Sequence, residues 1–215
     1  MPGRASPSRR CRRDPGRSSA RAQATRARIL EAALRELGRD PDYSLGDIAG
    51  AAGVARRTIY GHFTGRAALV QGLAADAGEA VRRVSAATRG PTPDAVTALA
   101  RFVLALWPVG DRYRTLLGLA HRDLGPDAID ALLRPARETV TGILTQGQQQ
   151  GLFHTAVPPG PLNRALEAQM LALLECVNSG LWNDDGTAAT IAALITAGVG
   201  RDSAAAAVHH LRASS

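Results

Sequence analysis

The 215-residue chain lacks several features that mark common protein classes. Only 4% of its residues are aromatic, so any buried core must consist mainly of Ala, Leu, Val and Ile. No apolar run approaches the roughly 18 residues of a membrane span, and the Arg-rich start lacks the apolar stretch of a secretory signal. Cys11 and Cys176 lie far apart in the sequence, and reduced thiols are the default for such a pair. We therefore expect a cytoplasmic protein with no disulfide and no membrane partner.

Signatures of catalysis are also missing from the sequence. It contains no glycine-rich phosphate loop, no nucleophile elbow and no paired Cys or His spacing for zinc. The sequence therefore predicts a protein that is not an enzyme and that needs no metal and no cofactor.

Lysine is absent, and the arginines that replace it are unevenly placed. All 26 basic residues are Arg, and the formal net charge is +7. Residues 1–65 hold 13 Arg and 6 acidic residues, whereas residues 66–215 hold 13 of each. A basic N-terminal part is typical of a domain that faces nucleic-acid phosphates, and a neutral remainder suits ligand binding and dimerisation.

The stretch from Ser44 to Leu69 has the pattern of a helix-turn-helix. Ser44 is a good N-cap for a short helix whose apolar residues recur at three- and four-residue spacing. Gly53 then ends that helix, because glycine readily adopts the left-handed conformation of a tight turn. A second short helix begins near Ala55, with Ile59 on its buried side and basic residues outside. Such a helix is suited to the major groove of DNA.

A wider set of spaced residues extends this pattern over about residues 25–70. They are Arg28-Ile29-Leu30, Ala32-Ala33, Leu37-Gly38, Ile48-Ala49, Ala52-Gly53-Val54, Thr58-Ile59-Tyr60, His62-Phe63, Arg66 and Leu69. Together they resemble the N-terminal domain of the tetracycline-repressor (TetR) family. The resemblance implies an all-α homodimer: each subunit has a three-helix helix-turn-helix DNA-binding domain, followed by a larger helical ligand-binding and dimerisation domain. Ala55 departs from the usual Ser or Thr cap, and Gly65-Arg66 departs from a small polar residue and Lys.

Four segments are expected from composition and resemblance. Residues 1–24 are rich in Arg and poor in large apolar residues, which predicts a disordered tail. Residues 25–70 form the DNA-binding domain, residues 71–200 the ligand-binding and dimerisation domain, and residues 201–215 a C-terminal tail. The N-terminal tail is either an arm that adds DNA contacts or a solvated extension, and both interpretations stay open.

The second short helix carries the candidates for reading bases. Arg56 and Arg57 suit bidentate hydrogen bonds to guanine, and Thr58 suits a thymine methyl group or a phosphate. By family resemblance, Tyr60 and His62 contact phosphate; packing between helices is the alternative for both.

Three further residues are candidates for phosphate contact. Ser44 and Arg66 lie at helix N-termini, where backbone N–H groups and the helix dipole favour an anion. Arg28 lies near the start of a first helix predicted over residues 25–37, within reach of a backbone phosphate.

The C-terminal part predicts a bundle of helices. Trp107-Pro108 is expected to end one of them, and Pro135 leaves open one long helix or a kinked pair. Rows of small residues on the last two helices suit an interface of two helices from each subunit, with packing inside one subunit as the alternative. The predicted helices span residues 66–88, 94–107, 111–124, 126–150, 161–182 and 187–200.

A ligand pocket is expected between these helices. Aromatic and other large apolar side chains are its candidate walls, although each can instead be plain core. They are Phe102, Trp107, Tyr113, Met170 and Trp182.

The function that the resemblance implies is transcriptional regulation. The chain would act as a homodimeric repressor on a palindromic operator in double-stranded DNA and would be released by a small-molecule effector. The alternative is a helical interaction or small-molecule-binding module without specific DNA binding, which leaves the concentration of charge in the first 65 residues unexplained.

Overall fold

The computed structural model describes residues 15–90, 92, 94–116, 119, 123 and 125–214. Across these ranges the regular structure is α-helical without β-strands, which confirms the predicted fold class. None of the helices in them is long and apolar enough to cross a bilayer. The helices are α1 (Pro15–Arg39), α2 (Leu45–Ala51), α3 (Arg56–His62), α4 (Arg66–Ala87), α5 (Ala95–Tyr113), α6 (Pro126–Gln149), α7 (Pro159–Asn178), α8 (Thr187–Thr196) and α9 (Arg201–Ala213).

The chain divides into two compact units between Thr64 and Gly65. The first unit contains α1 to α3, and the second contains α4 to α9. The sequence analysis placed the domain boundary after residue 70. The observed division comes earlier, because α4 is one continuous helix that begins at Arg66.

The helix-turn-helix of the first unit is built as its sequence predicts. The Ser44 side chain accepts a hydrogen bond from the Asp47 N–H and so caps α2. Gly53 has a φ of 62°, the left-handed conformation that the turn requires. Ala55 supplies no side-chain cap to α3. Residues of all three helices are buried in the core of this unit, together with Phe63, the C-cap of α3. The helix residues include Ile29, Leu30, Leu37, Ile48 and Ile59.

The first helix is longer than predicted at its N-terminus. It begins at Pro15, so that residues 15–24, expected to be disordered, are helical. A helix that is already nucleated extends at little cost through Ala, Arg and Gln, which favour helix, and proline is compatible with a first turn. The remainder of the predicted tail, residues 1–14, lies outside the described residues.

Proline does not end α5, contrary to expectation. Pro108 lies inside that helix, which continues to Tyr113. The side chains of Trp107 and Tyr113 are both buried, and this burial offsets the lost backbone hydrogen bond of the proline. The separate helix predicted over residues 111–124 therefore starts within α5, and most of its later part lies outside the described residues.

The second unit has one main core, which extends from α4 to α9. Pro135 lies inside a single helix, α6, so the structure has one long helix and not two helices with a kink between them. Residues 201–213, predicted as a tail, form α9, because Ala204 and Val208 lie one turn apart and are fully buried in this core. Phe102 and Leu194 are at its centre.

The turn conformation leads to a stability prediction. We expect Gly53→Ala to lower the free energy of unfolding by about 1–2 kcal/mol, because an L residue is strained at this φ. A Cβ at Gly53 would meet no other atom within 4 Å, so the expected loss of stability comes from backbone strain and not from a steric clash. Gly50→Ala, at an equally open helical position, should instead stabilise by about 0.5–1 kcal/mol. Urea unfolding followed by circular dichroism measures both, and equal shifts would contradict the account.

Candidate nucleic-acid interface and ligand cavity

The third helix has a buried side and an exposed side. Ile59 is fully buried, whereas Arg56, Arg57 and Tyr60 are exposed, Tyr60 at 55%. This follows from helical periodicity for Arg57 and Tyr60, which lie about 160° and 100° around the helix from Ile59, whereas Arg56, at about 60°, borders the buried side. Within its own unit, α3 therefore presents the Arg57 guanidinium and the Tyr60 phenol to solvent.

The two arginines of α3 differ in their surroundings. The guanidinium of Arg56 lies against α2, so closely that a Cβ at Gly46 would come within 3.0 Å of its Nη2 atom. Arg57 makes no hydrogen bond or ion pair with any residue that the structure describes. Arg57 can therefore reach a partner molecule without breaking a contact within the protein. Arg56 would have to reach the same partner from its position against α2, or lose its contact with that helix.

The start of α2 holds a reciprocal cap. The Oγ atom of Ser44 donates to Asp47 Oδ2 over 2.6 Å and accepts from the Asp47 N–H over 3.2 Å. The Ser44 N–H donates to the same carboxylate. These bonds lower the pKa of Asp47, with a smaller contribution from the charge of Arg56. The Ser44 hydroxyl and N–H, predicted to lie near a phosphate, are therefore already hydrogen-bonded to Asp47.

Arg28 has a structural contact that the sequence did not indicate. Its Nη2 atom donates to the backbone oxygens of Ala52 (3.1 Å) and Gly53 (3.3 Å). The side chain thereby ties α1 to the turn between α2 and α3. Twenty-four residues separate donor and acceptor, so no local spacing could have predicted the contact. Its predicted role at a phosphate stays a prediction.

The remaining candidates of the first unit are less exposed. Thr58 and His62 are half-buried, and the His62 ring lies 6.4 Å from the Phe63 ring. The guanidinium of Arg26 lies 5.3 Å from the centre of the same Phe63 ring. These contacts do not decide between phosphate contact and packing between helices for His62 and Tyr60, so both roles stay predictions.

Arg66, the last DNA-contact candidate, belongs to the second unit. Its Nη2 atom lies 3.4 Å from Asp123 Oδ2, and both side chains are partly buried. A phosphate contact by Arg66 would have to share or replace this ion pair.

A cavity of about 320 Å³ lies among α4, α5, α6 and α7 of the second unit. Four of the five candidate wall residues line it: Phe102, Trp107, Tyr113 and Met170. Trp182 is not among the lining residues; its ring packs edge-on against Trp107, with 6.0 Å between ring centres. Contact of these residues with a ligand stays a prediction.

Polar groups of the cavity wall are bonded to other protein groups. The Tyr113 hydroxyl donates to Asp76 Oδ2 over 2.6 Å, and burial, followed by this bond, raises the pKa of Tyr113. Arg137 is bonded to Glu167 and to Asp130, and the Glu167 bonds above all raise the pKa of Arg137. Sequence reasoning missed these groups, because Arg137 and Glu167 lie 30 residues apart.

Comparison with known proteins gives a family and a relative. Residues 29–73 match the family model described as bacterial regulatory proteins, tetR family. Over 172 residues the chain is 28% identical to the HTH-type transcriptional repressor LfrR of Mycolicibacterium smegmatis, a match that covers 78% of this chain and 86% of that repressor.

Solved structures resemble the chain over both units. The TetR-like transcriptional regulator LfrR from Mycobacterium smegmatis, in complex with proflavine, is 24% identical with a TM-score of 0.65, and the match covers 84% of this chain and 99% of that one. A gamma-butyrolactone receptor described as ArpA-like is 20% identical with a TM-score of 0.72, over 91% of this chain and 100% of that one. At these identities the likeness establishes the fold.

The reciprocal cap of α2 makes a prediction about protonation. Ser44→Ala should raise the pKa of Asp47 towards its ordinary value of 3.8, because the hydroxyl bond is the main cause of the lowering. Since folding lowers this pKa, the stabilising effect is present above 3.8 and is lost as the pH falls through the lower folded value. An NMR titration of the carboxyl carbon measures the shift. Arg56→Gln, which removes a smaller cause, should move the pKa less; a larger effect of Arg56→Gln would contradict this assignment.

Proposed function

Because the chain belongs to the TetR family of bacterial transcriptional regulators, we propose that it is a homodimeric repressor of a palindromic operator that a small-molecule effector releases. A protein of this kind acts by binding and not by catalysis. The exposed, Arg-bearing face of α3 is the observation that carries the DNA-binding part of the proposal. The cavity among α4 to α7 supports the effector part.

Base recognition is assigned to the exposed face of α3. A guanidinium suits the two acceptors that guanine presents in the major groove, and Arg57 is the better placed of the two arginines because no described residue holds it. Tyr60, exposed one turn from Arg57, would fix the position of the helix through a phosphate. The excess of Arg in residues 1–65 adds a sequence-independent attraction.

Effector release is assigned to the cavity. Ala77 and Val81 of α4 line it, and α4 follows α3 directly in the chain. A ligand that favours one arrangement of α4 can therefore change which separation of the two DNA-binding units is populated. By linkage, operator DNA would lower the ligand affinity by the same factor.

Dimerisation is assigned to the surface that includes α8 and the end of α7. Ile195 of α8 is 44% exposed, and Leu181, which follows α7, is 81% exposed. Large apolar side chains exposed at this level lie unfavourably in water, and a second copy of the chain would bury them.

The Arg57 assignment is tested by selection from random duplex DNA. Arg57→Ala should cost about 1–3 kcal/mol of binding free energy and relax the preference at one position in each half-site. Arg201→Ala, at another exposed arginine on α9, is the control and should leave the selected sequence unchanged. An affinity loss that is equal for all DNA sequences would indicate that Arg57 contacts phosphate and not a base. Binding of the wild-type chain without sequence preference would favour a module without specific DNA binding.

The dimer assignment is tested by placing a charge on its surface. Ile195→Asp should convert the dimer to monomers, because a buried carboxylate without a partner opposes association, and operator affinity should fall with it. Ala87→Asp is the control, since Ala87 is exposed at the end of α4, a helix that packs on α5 and α6. Sedimentation equilibrium measures the mass of each variant. A dimeric Ile195→Asp variant, or a monomeric wild-type chain, would contradict the assignment.

A further inference from the structure

The polar groups of the cavity indicate what kind of ligand it can hold. Among the described lining residues, hydrogen-bonding capacity is confined to a few side chains in an otherwise apolar wall. Whether each of them can still donate or accept depends on the bonds that it already makes. These polar lining residues are Trp107, Tyr113, Arg137, Asn163 and Glu167.

Three of these side chains have already used their donors. Trp107 Nε1 donates to the backbone oxygen of Asp184 over 3.1 Å, and the Tyr113 hydroxyl donates to Asp76. The Asn163 amide nitrogen donates to the backbone oxygen of Arg137 over 3.1 Å and to Thr141 Oγ1 over 3.0 Å. The Tyr113 oxygen also accepts from the Arg112 side chain, so the amide oxygen of Asn163 is the more available acceptor of the two.

The charged pair of the cavity wall is internally compensated. Arg137 donates to Glu167 from Nε and from Nη2, the latter over 2.8 Å, and from Nη1 to Asp130. Arg137 and Glu167 are the charged groups among the described lining residues, so their charges cancel at the wall. Glu167 Oε1 also accepts from Arg164 Nη1 over 3.4 Å, so Oε2, which accepts one bond, is the oxygen that keeps a lone pair for a further donor. An anion entering the cavity would therefore lose its hydration without meeting a free cation.

We propose that this cavity takes an uncharged, mainly apolar molecule whose polar group donates a hydrogen bond, such as a phenol or an alcohol, and that it rejects carboxylates. The proposal rests on the proposed function in taking the cavity as the effector site. The acceptor oxygens of Asn163 and Glu167 select the donor, and the Arg137–Glu167 pair excludes the anion.

Three probes of nearly equal size test this selectivity: 2-naphthol, 2-methoxynaphthalene and 2-naphthoate. Isothermal titration calorimetry with the full chain, without DNA, measures their affinities. We expect 2-naphthol to bind about tenfold more tightly than its methyl ether, which lacks the donor, and 2-naphthoate to bind more weakly than either. Equal affinity for the naphthol and the ether, tighter binding of the naphthoate, or no binding of any probe would overturn the proposal.

A change at the ion pair tests how the anion is excluded. Glu167→Gln keeps the shape of the side chain but removes one of the two carboxylates bonded to Arg137, leaving Asp130 as the other. The cluster of Arg137, Arg164, Asp130 and Glu167 then carries one net positive charge, so this variant should gain affinity for 2-naphthoate relative to 2-naphthol. General destabilisation of the fold would weaken both probes and could not produce such an inversion. Glu138→Gln, an exposed position on the same helix as Arg137, is the control and should keep the wild-type order. An unchanged order in Glu167→Gln would overturn the role of the pair.

Failure of this proposal is distinguishable from failure of the proposed function. Operator affinity is measured separately, with and without 2-naphthol. A naphthol that binds as predicted but leaves operator affinity unchanged contradicts effector release and leaves the ligand class standing. A protein that binds operator tightly but selects a carboxylate contradicts the ligand class alone.

Discussion

Burial of one side of α3 is the constraint on which the DNA-binding account depends. Ile59 is fully buried and the following Phe63 nearly so, and this fixes the rotation of the helix about its own axis. Arg57 and Tyr60 then face water by geometry. The left-handed Gly53 allows α3 to follow α2 after so short a turn, and Arg28 holds the carbonyl groups of that turn from α1.

The second unit depends on a different constraint, the hydrogen bonding of its few buried polar side chains. Its helices bury few hydrogen-bonding side chains next to the cavity, and those they bury are bonded to one another or to the backbone. This satisfies the rule that a buried polar group needs a partner. On the proposed ligand class, the same packing of α5, α6 and α7 that stabilises this unit also limits the polar groups that a ligand can meet among the lining residues.

Local patterns in the sequence predicted much of this structure, and long-range contacts account for what was missed. The cap at Ser44 and the turn at Gly53 depend on a few neighbouring residues and were predicted correctly. The helix through Pro108 and the helix α9 depend on burial against distant helices, which local propensity does not contain. The aromatic wall of the cavity was recognisable from residue type, whereas the Arg137–Glu167 pair joins two helices across 30 residues and has no local signature.

Methylation interference tests the central claim that α3 reads bases in the major groove in two copies. Dimethyl sulfate places a methyl group on guanine N7 in the major groove and on adenine N3 in the minor groove. The account predicts that N7 methylation blocks binding of the wild-type chain at two symmetric sets of guanines, about 10 base pairs or a multiple of that apart. Interference confined to adenine N3, or at one asymmetric set of guanines only, would contradict it.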